Sequence, residues 1–192
     1  MITITLQKIK NARPCADGWQ KLLKSKGGRG ADMGAEFPLA DVLESNGLDD
    51  TLWCLRCLLE HNHNLWRKYA VWCARQVQHL MTDQRSVDAL DVAWRHSDGA
   101  ATDDELDAAK TASRDATRGA VKSAEVAAWS ARVAASAAAS ASGAATRAAG
   151  AAGAAARAAG DTGTAARAAQ KAKLLEILNA EKWVDNANRS VK

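Results

Sequence analysis

Proline is nearly absent from this chain, with 2 in 192 residues, and Phe and Tyr occur once each. Alongside 47% apolar and 25% charged residues, that scarcity argues against a disordered or collagen-like polypeptide. Strand signals are scarce too, so the class expected is all-α. No targeting segment is evident, because Met1-Ile2-Thr3-Ile4-Thr5-Leu6 runs into Gln7, Lys8 and Lys10 without an apolar h-region or cleavage site. A membrane span is not expected either. Arg132, Arg147, Arg157 and Arg167 interrupt the one long run of small residues, and each would cost about 2.5–3.5 kcal/mol at a bilayer centre. The 4 Cys sit among helix signals, which suits reduced thiols and a cytoplasmic location. A Gly-rich nucleophile turn, a phosphate loop and a paired carboxylate site are all missing, so neither enzyme activity nor a cofactor is expected.

What is present divides unevenly. Seven Trp stand against the single Phe and Tyr, and Ala120–Gln170 holds 26 Ala in 51 residues. Large side chains for a core lie mainly in the first half, and the second half offers methyl groups that pack only at close backbone approach. Two modules are expected: short helical hairpins over 1–99, and long, close-packed Ala-rich helices over 100–192 ending in an amphipathic segment. The formal charge is +4 overall. Residues 1–98 carry 13 bases and 12 acids, and residues 99–192 carry 13 and 10. That is a mildly basic second half, read first as a solvated helix surface.

Punctuation along the chain predicts the elements. Thr3 or Thr5 caps a helix through Leu6, Ile9 and Lys10 that ends before Pro14. Pro14 opens a second helix through Trp19, Leu22 and Leu23, closed by Gly27-Gly28. Pro38 opens a third, stopped by Asn46-Gly47, and Asp49 or Asp50 caps Leu52 to about Glu60. The spacing of Trp66, Ala70, Cys73, Val77 and Leu80 predicts one amphipathic helix over Leu65–Leu80. Thr82 or Asp83 caps the next, and Ser97-Asp98-Gly99 closes it. Thr102 with Glu105 forms a capping box for a helix running as far as Ser142. Arg147, Arg157 and Arg167 then recur every 10 residues with Gly at 150, 153, 160 and 163. Gly160–Gly163 reads as a turn, and Thr164 caps a last helix carrying Leu174, Leu175, Ile177, Leu178 and Trp183.

Three constellations bear on function. Cys54, Cys57, His61 and His63 are zinc-ligand types, but the first three line one helix face, whereas structural zinc usually draws ligand pairs from separate elements. A core role is preferred and no metal is expected. Cys73 with His79, or Cys57 with His61, is a weak nucleophile pair, since Cys73 lies on the apolar stripe and His79 does not. Arg147, Arg157 and Arg167 could contact phosphates, yet a 10-residue step turns about 280° on a helix, so they spiral instead of forming a row. The strongest feature is an echo. Leu52-Trp53-Cys54-Leu55-Arg56 matches Val71-Trp72-Cys73-Ala74-Arg75 in register, 19 residues on, and places Trp53/Arg56 and Trp72/Arg75 beside the apolar stripe. Trp and Arg are enriched at binding hot spots, while burial of both Trp in a helical repeat is the alternative.

Arg13-Pro14-Cys15-Ala16-Asp17-Gly18-Trp19, Gly47-Leu48-Asp49-Asp50-Thr51-Leu52-Trp53-Cys54-Leu55-Arg56 and Ala74-Arg75-Gln76-Val77-Gln78-His79-Leu80 precede the Ala/Arg-rich tail. In these segments the chain resembles small proteins encoded by tailed phages and prophages, a group similar to the immunity-protein family of bacterial polymorphic toxin systems. The likeness covers roughly residues 1–110 by motif and the rest by composition, and only Trp129 remains of the Trp usually interleaved through that tract. The resemblance implies a non-enzymatic inhibitor that binds a bacterial toxin or a defence-system protein. Two further expectations stand beside it: nucleic-acid binding by the basic second half, and a structural homodimer built by the Ala/Gly helices through Gly150 and Gly153.

Overall fold

The computed structural model describes residues 1–58, 63–118 and 163–183. Among them are eight α-helices and one two-stranded antiparallel sheet, an all-α class. In chain order these are β1 (Thr3–Thr5), α1 (Leu6–Asn11), α2 (Ala16–Ser25), β2 (Glu36–Pro38), α3 (Ala40–Ser45), α4 (Leu48–Cys54), α5 (His63–Arg75), α6 (Gln84–Ser97), α7 (Asp103–Arg118) and α8 (Gly163–Ala180). Short 3-10 turns occupy Gly28–Gly30, Leu55–Leu58 and Gln78–Leu80. The chain divides into two compact units, Met1–Thr51 with Lys171–Lys192, and Leu52–Gln170. Residue 99, where the sequence suggested a division, lies inside the second.

In the first unit the opening residues correct the expected helix start. Ile2, Ile4 and Leu6 are buried while Thr3 and Thr5 alternate with them at half exposure, a period of two that suits a strand. Thr3 therefore does not cap a helix; it pairs with Pro38, Ile4 with Phe37 and Thr5 with Glu36. Thr5 ends the strand and caps α1, its hydroxyl accepting from the Lys8 N–H at 3.2 Å. Pro38 is likewise not a helix opener. It closes β2, where a missing N–H is tolerated at an edge, and α3 starts two residues later. Cys15 Sγ accepts from the Gly18 N–H to cap α2, so Pro14 lies outside that helix. Gly27 at φ +104° ends it in the left-handed region. Asp49 and Asp50 do not precede a helix but sit in the first turn of α4, where carboxylates oppose the helix dipole favourably.

Asn46 knits these helices together, its Nδ2 donating to Gly18 O at 2.8 Å and to Asp50 Oδ2 at 2.7 Å. A Cβ on Gly18 would stand 2.8 Å from that same carboxylate oxygen, so a side chain there displaces Asp50 from Asn46. Gly18→Ala is accordingly expected to destabilise this unit by about 1 kcal/mol, roughly one side-chain hydrogen bond, read as a lower urea midpoint. The core comprises Ile2, Ile4, Leu6, Ile9, Leu22, Leu39, Val42 and Leu43 with Leu174, Ile177 and Leu178 of α8. Ile2 N–H donates to Leu178 O at 2.8 Å.

In the second unit α5 carries the expected stripe as far as Cys73: Trp66, Ala70 and Cys73 are buried, Val77 is buried just beyond the helix, and Leu80, the last expected member, is half-buried. The helix is shorter than predicted. It ends at Arg75, and a 3-10 turn over Gln78–Leu80 carries the chain onward. The helix expected over Leu52 to Glu60 is also split, since α4 stops at Cys54 and Leu55–Leu58 is 3-10. Asp83 caps α6 by accepting from the Arg85 N–H at 2.9 Å, and Gly99 at φ +73° follows its end. The capping box of α7 is complete. Thr102 Oγ1 accepts from Glu105 N–H at 3.2 Å, and Glu105 Oε2 accepts from Thr102 N–H at 2.8 Å. Ala89, Ala93, Ser86, Ser97 and Ser113 are buried on α6 and α7, so small residues set the close approach of these two packed helices. Helix α8 starts at Gly163, which places Thr164 inside it instead of at its cap. The continuation to Ser142, the Gly150/Gly153 positions and the rest of the ten-residue repeat before Gly163 lie outside the described residues.

Candidate interaction site

Both Trp/Arg pairs belong to the second unit, and they are built differently. Trp53, in the last turn of α4, and Arg56, in the 3-10 turn after it, are half-buried between the buried Leu52, Cys54 and Leu55. Arg56 Nε donates to the Trp53 carbonyl at 3.1 Å, and its guanidinium carbon lies 4.6 Å from the indole centroid. The tight 3-10 turn is what folds the arginine back over the ring. Among the described residues Arg56 meets no carboxylate.

The second pair is drawn into the α5–α6 contact. Trp72 stacks on Tyr69 with centroids 6.2 Å apart. Arg75 does not cover Trp72; it reaches Asp91 at 2.6 Å and lies 4.9 Å from the ring of Trp94. Lys68, two turns earlier, pairs with Asp98 and lies 5.2 Å from the same ring. The pairings 68 with 98 and 75 with 91 are those of antiparallel helices, and Trp94 sits between two cations. Lys68, Asp91, Trp94 and Asp98 were not singled out from the sequence as interaction residues. Their signal is a seven-residue step between bases on one helix facing steps of three and four on the next.

Arg167 lies on α8, half-buried, with Nη1 3.4 Å from Gln170 Oε1. Beside it, Tyr69 Oη donates to the Gln170 carbonyl at 3.1 Å in a fully buried setting. Arg147 and Arg157 lie outside the described residues. The cysteines are free thiols. Burial pushes the Cys73 thiol up to about 12, against smaller opposing effects of a Tyr69 hydrogen bond and the Arg167 charge. Cys57 is pushed up to about 11 by burial, with Arg56 opposing. Both are held neutral, which disfavours nucleophilic or metal-ligating thiolates. His61 lies outside the described residues, and among those described no cluster of three His, Cys, Asp or Glu is placed to hold a metal ion. None of the described helices is long and apolar enough to cross a membrane.

No family model, no curated protein and no solved structure matches the chain.

Proposed function

We propose that the chain is a non-enzymatic binding protein that occludes a surface of a partner protein, with Trp53 and Arg56 at the centre of the contact. The partner is a bacterial toxin or defence-system component, the class its resemblance to phage and immunity-type proteins implies. The observation that supports this is the Arg56 guanidinium stacked 4.6 Å over the half-buried Trp53 ring without a carboxylate partner among the described residues. Trp and Arg dominate hot spots because each presents a large, stiff contact area with polar edges. Stacking restricts both side chains before the partner arrives, which lowers the ordering cost of binding.

The test is functional rescue in bacteria. The chain is expressed in strains that each carry one inducible toxin or one phage-defence system, and growth or plaquing efficiency is measured. One strain is expected to be rescued, and the Trp53→Ala/Arg56→Ala variant is expected to lose that rescue. Loss of two hot-spot contacts of about 2 kcal/mol each corresponds to a partner affinity weakened by roughly 10³-fold. Undiminished rescue by a variant with unchanged helical circular dichroism overturns the assignment of the site.

A further inference from the structure

Charge in the first unit is segregated along the chain. Residues 8–29 hold seven Lys and Arg against the single acid Asp17, and residues 32–50 hold six acids and no base. Folding leaves most of these bases unmatched. Lys26 pairs with Asp41 and lies 4.2 Å from the Phe37 ring centroid. Lys8, Lys10, Arg13, Lys21, Lys24 and Arg29 are exposed, and among the described residues none of them joins an ion pair.

The reason lies in the helices. α1 turns Leu6 and Ile9 into the core and α2 turns Leu22, so the bases occupy the remaining, solvent-facing sides. Lys21 and Lys24 are three residues apart and share a face of α2. Arg29 follows in the 3-10 turn packed on that helix. Among the described residues a Cβ on Gly28 or Gly30 would meet nothing within 4 Å, so none of them covers the backbone on either side of Arg29. The loop returns to α1 through the Gln7 N–H, which donates to Met33 O at 2.8 Å.

We propose that this basic stretch docks on the phosphate backbone of duplex nucleic acid, without reading its sequence. Flexible lysines are suited to phosphates as point charges. Protein-docking surfaces carry an apolar centre. Among the described residues the large apolar side chains that stand exposed are Met1 and Leu175, and neither lies between residues 8 and 29. Single-strand platforms stack bases on aromatic rings, and the one aromatic side chain of α2, Trp19, is half-buried.

The experiment is fluorescence anisotropy of a labelled 20-base-pair duplex with the full chain at 50 to 200 mM salt. Three phosphate contacts, from Lys21, Lys24 and Arg29, predict an affinity loss of about 40-fold across that range. Lys21→Glu/Lys24→Glu/Arg29→Glu is expected to weaken binding by at least about 100-fold at 50 mM and to flatten the salt slope by about 3. Trp53→Ala/Arg56→Ala is expected to bind the duplex as the unmodified chain does. Absence of binding at 50 mM overturns the proposal, as does binding lost instead to Arg147→Gln/Arg157→Gln. Retention of the chain on immobilised polyglutamate but not on the duplex also overturns it, in favour of an acidic protein.

Discussion

Replacing Trp66 by alanine is expected to remove about 3–5 kcal/mol from the stability of the second unit, the usual cost of emptying a buried Trp site. The residue is 1% exposed and is one of the largest fully buried side chains of the chain. It heads the α5 stripe that continues through Ala70 and Cys73, whose small side chains leave little to collapse into the void. Against a typical total of about 5–15 kcal/mol, a loss of that size moves the urea midpoint far enough to be read by circular dichroism at 222 nm. Trp66→Phe separates two contributions. The indole Nε1 is buried with no hydrogen-bond partner among the described residues, and an unmet buried donor costs about 1–3 kcal/mol. Phenylalanine removes that donor while keeping most of the apolar area, so it is expected to cost under about 1.5 kcal/mol. A phenylalanine variant as unstable as the alanine one would show that the indole N–H is satisfied in solution.

The stripe that makes Trp66 a core residue was legible in the sequence because it depends on local periodicity alone. The same holds for the capping box of Thr102 and Glu105, the Asp83 cap, and the stops at Gly27, Gly47 and Gly99, all of which involve groups a few residues apart. The strand Thr3–Thr5 was hidden because Thr5 has two roles, ending a three-residue ladder and capping α1. Its strand character rests on Phe37, more than thirty residues away. Pro38 carries the same signal at a helix start and at a sheet edge, and only the pairing with Thr3 decides between them. The Trp/Arg echo shows the limit most sharply. Trp53/Arg56 and Trp72/Arg75 look alike as sequence, yet Arg75 finds Asp91 and Trp94 on α6 and, among the described residues, Arg56 finds its own Trp53. What distinguishes them is a tertiary contact that no local window contains. It narrows the proposed site from four residues to two.

Alkylation should sort the four cysteines by burial. Cys15 is exposed, Cys57 half-buried, and Cys54 and Cys73 buried. With a thiol pushed up to about 12, Cys73 has a thiolate fraction near pH 8 of only about one in 10⁴, and the thiolate is the reactive species. Iodoacetamide is therefore expected to label Cys15 first, and Cys73 only as fast as the second unit opens, with mass spectrometry reading each site. Rapid labelling of Cys73 in the folded chain would refute its burial. The same shift carries a stability consequence whose sign is fixed. An unfolded thiol ionises near 8.5, below the folded value, so the fold favours the protonated form. That preference is fully present below about pH 8.5, where both states are neutral. It is lost as pH rises toward 12, at about 1.4 kcal/mol per pH unit. Urea midpoints at pH 8 and pH 10.5 should thus converge in Cys73→Ala relative to the unmodified chain. The alanine variant starts less stable because of its cavity and then loses less. Equal pH dependence in the two chains would place the thiol in contact with solvent, contrary to its position on the inner face of α5.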